Sequence, residues 1–213
     1  LNVALSLAMK ETHVLFLDLD LRRPVQARNL GVTVPAKQEL GTLLKQNATP
    51  EEILSSAIAY QNIPMYALLS QKSYPNAAEL IASKPLSDVL LYAREYFDYI
   101  IIDLPPVGYF SEGEVMLDQA DAAVLVVRQD VVPAAVVNDC IDALQGGRAE
   151  FLGHVLNDVN TLSSVNSAYG YDKYGYGKYG QGKYWSGNQK FSQPQQSKSA
   201  KPQRNNPNNS QGK

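Results

Sequence analysis

Two runs of apolar residues, each closed by an aspartate, constrain this chain more than any other feature. They are Val14-Leu15-Phe16-Leu17, ending at Asp18, and Tyr99-Ile100-Ile101-Ile102, ending at Asp103. Neither alternates apolar with polar residues, so neither suits a strand with one wet face. Each reads as a strand buried on both faces, the kind found in parallel sheets. Residues 65–69, 123–127 and 151–156 read as further strands. Helical stretches lie between them: 1–10, with Leu1, Ala4, Leu5 and Ala8 at helical spacing, then 76–83, 86–97 and 133–144. The last of these is closed by Gly146-Gly147. Thr49-Pro50-Glu51-Glu52 reads as a helix start, with Thr49 as N-cap, Pro50 at the first position and Glu52 completing a capping box. Ser111 with Glu114 repeats that pattern, and residues 21–37 read as a loop. Alternating strands and helices predict an α/β fold with a mainly parallel sheet and helices on both faces. In such sheets ligands bind beyond the carboxyl ends of the strands. Asp18, Asp20 and Asp103 stand at two such ends.

The pattern stops near Thr161. Residues 1–160 carry 11 Lys and Arg against 20 Asp and Glu, whereas residues 161–213 carry 8 against one, Asp172. The overall charge of −2 therefore describes neither part. The second part is Gly, Tyr, Ser, Asn, Gln and Lys, too poor in aliphatic residues to offset its ordering entropy, and disorder is expected there. The domain reading is thus 1–160 for the folded unit and 161–213 for a tail. A single cysteine, Cys140, excludes an intrachain disulfide and reads as core. No apolar run approaches the ~18–20 residues of a membrane span.

Three features carry chemistry. In Leu15-Phe16-Leu17-Asp18-Leu19-Asp20-Leu21-Arg22-Arg23-Pro24, an acid just past a buried strand can reach a metal ion and phosphates, and Mg²⁺ favours one or two carboxylates plus phosphate oxygens. A second acid two residues on can orient or deprotonate a nucleophile. Alone, the motif reads equally well as solvated loop charge. The stretch from Tyr99 to Pro106, an apolar strand closed by Asp103, has the shape of a Walker B motif, whose carboxylate holds the Mg²⁺ shell. The third feature is a tyrosine cluster in the tail. Tyr169, Tyr171, Tyr174, Tyr176, Tyr179 and Tyr184 place six of the 13 tyrosines within 16 residues, spaced by Gly, Lys and Asp. A tyrosine hydroxyl, with a pKa near ~10, needs a base to become a nucleophile.

On these motifs the chain resembles the bacterial tyrosine kinases (BY-kinases), a branch of the deviant-Walker P-loop ATPases. "VLFLDLDLRRP" is similar to their Walker A′ motif and "YIIIDLPPV" to their Walker B. "YPNAAELIAS", "DQADAAVLVVRQDVV" and "FLGHVLNDV" are similar to the family as well, and the tyrosine cluster falls where these kinases keep theirs. The family's Walker A loop would lie just before Leu1, and no G-x-x-x-x-G-K-[ST] occurs in the sequence. The expectation is therefore an N-terminally truncated kinase domain, lacking its first strand and Walker A loop and inactive by itself.

The resemblance implies transfer of the ATP γ-phosphate to tyrosine, in service of capsular or extracellular polysaccharide synthesis. ATP and Mg²⁺ are the implied cofactors. Asp18 and Asp103 would organise them, and Asp18 or Asp20 would accept the tyrosine proton. Arg22 and Asn157 are the further nucleotide-binding candidates, Asn157 because it resembles the Asn that meets adenine in related ATPases. The six tail tyrosines would be the phosphoacceptors. Implied partners are a neighbouring copy in a ring, a transmembrane activator and a tyrosine phosphatase, which places the protein in the cytoplasm at the inner face of the membrane. Nucleic acid is not expected as a partner. The rival reading is a partitioning or division-site ATPase switch, which shares the core but makes no phosphotyrosine. His13 and His154 receive no role. Lys173, Lys178 and Lys183 read as a solvated basic tail.

Overall fold

The computed structural model describes residues 1–60 and 62–159. The tail, with its tyrosine cluster and its expected disorder, lies outside the described residues.

Strand β1, Val14–Asp18, is buried at all five positions, as its unbroken apolar run requires. It pairs in parallel with β3, Met65–Leu68, along one edge and with β4, Tyr99–Asp103, along the other. The two-residue strand β2, Ile58–Ala59, adds antiparallel to β3, giving the order β2-β3-β1-β4. Alternate side chains of β1 feed two cores. Leu15 and Leu17 pack with apolar residues of α3, Leu40–Lys45, α4, Pro50–Ser55, α5, Ala77–Ile81, and α6, Lys84–Ala93. Val14 and Phe16 pack with Ala4 and Ala8 of α1, Asn2–Ala8, and with Ala27 of α2, Gln26–Leu30. Helices thus cover this sheet on both faces. Each buried aliphatic or aromatic side chain contributes about 1.5–3 kcal/mol through removal from water.

A second, two-stranded sheet is built from β5, Ala122–Arg128, and β6, Glu150–Asn157, also parallel. Ala123, Leu125 and Phe151 face Leu117 of α7, Glu112–Leu117, and Leu144 of α8, Ala134–Gln145. Among the described strands, β4 and β5 each pair along one edge only.

The α/β reading, the helix over the first ten residues and the Thr49 capping box hold: Thr49 Oγ1 accepts from the Glu52 backbone N–H, and Glu52 accepts from the Thr49 N–H. Four expectations are corrected. Residues 21–37 are not all loop. Gln26–Leu30 winds into α2 after Pro24, and Gly31 ends it at φ 68°, a conformation suited to a residue without Cβ. Leu40–Lys45, which the pattern did not single out, is helical because Leu40, Leu43 and Leu44 share the face turned to the core. Ser111 makes no side-chain cap on α7, its own backbone being already helical in φ and ψ. The mainly parallel arrangement holds as well: the described strands form two sheets whose pairings are parallel except for β2 on β3. Helix α6 also begins earlier and ends sooner than expected, starting at Lys84 with Pro85 in its first turn.

Candidate active site

The register of the first sheet sets the two motif aspartates side by side. Asp18 and Asp103 are direct partners at the carboxyl ends of adjacent parallel strands. Asp18 is fully buried. Its Oδ2 accepts the backbone N–H of Gln26 at 3.3 Å, while Oδ1 has no hydrogen-bond partner among the described residues. Burial above all, with the charges of Asp103 and Asp20 adding to it and backbone N–H groups of Gln26 and Asp20 opposing it, pushes the Asp18 carboxyl up to about 7. Such a group shares its proton near neutral pH, and a cation beside it favours the ionised form.

Asp20 lies just beyond, partly exposed. Its Oδ1 accepts the backbone N–H of Arg23 at 3.0 Å, which folds the loop tightly after β1. Arg22 is turned toward the loop after β4. Its Nε donates to Glu112 Oε1 at 2.7 Å, and its guanidinium lies 4.5 Å from the centre of the Phe110 ring. Glu112 is fully buried and its Oε2 has no partner among the described residues. The ion pair therefore ties the loop after β1 to the start of α7.

Sequence reasoning missed two residues here. Glu112 sits in Ser-Glu-Gly-Glu, where nothing local distinguishes it from Glu114. Gln26 lay in a presumed loop, yet its side chain reaches Asp103: Nε2 donates to Asp103 Oδ2 at 2.6 Å. Only the pairing of β1 with β4, which brings the two aspartates together, makes that glutamine significant.

Asn157 is not joined to this group. It ends β6 in the second sheet, exposed, with its carbonyl accepting the Gln129 N–H at 3.0 Å. Beside it, a pocket of about 240 Å³ opens between the end of β5 and the start of α8, lined in part by Val127, Val132, Asn138 and Leu156. Arg128 and Asp158 pair at 2.7 Å close by, both exposed. Cys140 is buried as expected. His13, assigned no partner from sequence, lies 3.7 Å from Asp98 at the surface.

The donor set fits a hard cation. Asp18 and Asp103 offer carboxylate oxygens, one of them buried and unpartnered. Among the described residues no group of three or more His, Cys, Asp and Glu could cage a metal. Two carboxylates completed by phosphate oxygens and water is the usual magnesium arrangement at a nucleotide.

No family model matches the chain. It is 30% identical over 170 residues to the tyrosine-protein kinase CpsD of Streptococcus agalactiae, spanning 79% of this chain and 72% of that protein. It is 32% identical over 171 residues to CpsD of Streptococcus pneumoniae serotype 4, spanning 80% and 72%. Among solved structures, the VpsO kinase domain superposes with a TM-score of 0.64 at 27% identity, over 75% of this chain and 76% of that one. The septum site-determining protein MinD of Pyrococcus horikoshii, complexed with Mg-ADP, superposes with a TM-score of 0.59 at 23% identity, over 73% and 61%, a likeness of fold alone.

Proposed function

The chain belongs to the bacterial tyrosine-protein kinase family of CpsD, and from that premise we propose that it serves an ATP-dependent autokinase that phosphorylates the tyrosines of its own tail. The observation that carries this reading is the Asp18–Asp103 pair, adjacent at the carboxyl ends of β1 and β4, with a buried Asp18 oxygen left for a cation.

Asp18 and Asp103 would hold Mg²⁺, which when bound would neutralise charge on the phosphates. Asp20, more exposed and held at the mouth by its turn to Arg23, accepts the phenolic proton of the incoming tyrosine. The tyrosine oxygen then bonds to the γ-phosphorus as the bond to the ADP oxygen breaks. Arg22, its Nε held by Glu112, offers its remaining guanidinium N–H groups as donors to the phosphates. Asn157 and the adjoining pocket receive the base. Phosphoryl transfer depends mainly on such positioning and charge neutralisation.

Residues 1–160 form the kinase domain in this reading and residues 161–213 its acceptor tail, with Tyr169, Tyr171, Tyr174, Tyr176, Tyr179 and Tyr184 as acceptors. The single-sided pairing of β4 and β5 suits entry of a further strand carrying the phosphate-binding loop. Acceptor tyrosines of one copy reach the site of the next in a ring-like homo-oligomer. A transmembrane activator holds the assembly at the cytoplasmic face of the membrane, and a tyrosine phosphatase reverses the mark. The outcome regulated is capsular or extracellular polysaccharide synthesis.

The test uses the protein as its gene encodes it, with Mg-ATP and the activator segment, read by phosphotyrosine immunoblot. Asp103→Asn is expected to abolish the signal while the circular dichroism spectrum stays that of the wild type. Undiminished phosphorylation overturns the site. ATP hydrolysis with no phosphotyrosine in the wild type favours an ATPase switch instead.

A further inference from the structure

Gln26 makes two contacts that together reach both motif aspartates. Its backbone N–H lies 3.3 Å from Asp18 Oδ2, and its side-chain Nε2 lies 2.6 Å from Asp103 Oδ2. The amide is not free to turn over. Its Oε1 accepts from Asn29 Nδ2 at 3.0 Å, one turn along α2, so the NH₂ end is the one presented to Asp103.

An amide NH₂ is a donor, and a divalent cation needs the same carboxylate oxygens as acceptors of its charge. Both cannot use the same lone pair of Asp103 Oδ2 at once. Hydrogen bonds to charged groups are among the stronger ones in proteins, so the contact has weight in that competition. Meanwhile Asp18 keeps a buried oxygen with no partner, so half of the pair is ready for a cation while the other half is engaged.

We propose that Gln26, oriented by Asn29, is a positioning residue that competes with the divalent cation for Asp103 and thereby sets the site's metal affinity. The proposal rests on the assignment of Asp18 and Asp103 to the cation. Where the cation takes that lone pair, the Gln26 amide gives up Asp103 Oδ2; the amide sits at the first position of α2, a helix of five residues between Val25 and Gly31.

The experiment measures Mn²⁺ binding by electron paramagnetic resonance of the free ion, using the protein as its gene encodes it and no nucleotide. Thermal unfolding in chelator is recorded alongside. Gln26→Ala removes the donor to Asp103 but keeps the backbone contact to Asp18. It is expected to tighten Mn²⁺ binding about tenfold, the order of one charge-assisted hydrogen bond, and to lower the chelator midpoint. Asn29→Ala, at an exposed position, frees the amide to turn over and is expected to tighten binding by a smaller factor. Unchanged or weaker binding in both variants, with wild-type circular dichroism, overturns the proposal; weaker binding would mean that the amide oxygen serves the cation. Asp103→Asn separates the two levels. If it binds Mn²⁺ as well as wild type does, the cation assignment itself fails. If it loses Mn²⁺ while Gln26→Ala gains nothing, only the role of Gln26 fails.

Discussion

The two sheets of this molecule carry similar sequences in different surroundings. Val14-Leu15-Phe16-Leu17 and Ala123-Val124-Leu125-Val126-Val127 are both unbroken apolar runs. In β1 every residue is buried, whereas in β5 exposure alternates along the strand. Val124 and Val126 are 51% and 63% exposed, and Val155 of β6, the register partner of Val126, is 52% exposed. Helices cover both faces of the first sheet, and α7 and α8 cover one face of the second. An apolar run therefore states what a strand tolerates, and packing decides what it receives. The same contrast holds for charge. Beside the first sheet Arg22 pairs with a fully buried Glu112, whereas beside the second Arg128 and Asp158 pair in water.

The largest expected effect tests burial. Phe16→Ala should destabilise the chain by about 3–5 kcal/mol, while Val126→Ala stays within about 0.5 kcal/mol. Urea unfolding of both variants measures the difference. A cost for Val126→Ala approaching that of Phe16→Ala would break the comparison.

Charge gives the next effect. Arg22→Ala strands the buried Glu112 carboxylate and should cost about 3 kcal/mol or more, whereas Arg128→Ala should cost less than about 1 kcal/mol. Equal unfolding midpoints for the two variants would break the contrast. Recovery of most of the loss by the double variant Arg22→Ala/Glu112→Gln would identify the stranded charge as its source.

The smallest effect concerns pH. Asp18 holds its proton in the folded chain up to about 7, against an ordinary value of 3.8. Between those values the native state binds more protons than the unfolded one, so this group makes stability fall as pH rises, with the full cost present above pH 7. Asp18→Asn should flatten that slope and stabilise the metal-free protein at pH 8 by roughly 2–4 kcal/mol. Chemical unfolding in chelator at pH 4.5 and pH 8 measures it. A variant less stable than wild type at both values would mean that the ionised carboxylate is not the burden its burial implies.

Local pattern made much of the first sheet readable. The strands 14–18 and 99–103 were legible because a run of apolar β-formers ending in an acid has few other uses. The capping box at Thr49 was legible because both of its hydrogen bonds join residues three apart. Helix α3 and the short strand β2 were not, since six and two residues carry too little periodicity to declare themselves.

The candidate site divides the same way. Its aspartates were found because their place at strand ends is a property of the strands that precede them. That Asp18 and Asp103 are register partners, that Asp18 is sealed from water, and that Gln26 and Glu112 belong with them were decided by the tertiary structure. Glu112 lies 90 residues from Arg22, and Gln26 lies 77 from Asp103. Hydrogen bonds and burial depend on distance in space, and the amino-acid sequence by itself specifies only separation along the chain. It determined which residues could end buried strands. The pairing of β1 with β4 determined which of them meet, and the helices packed over that pair determined which are left without water.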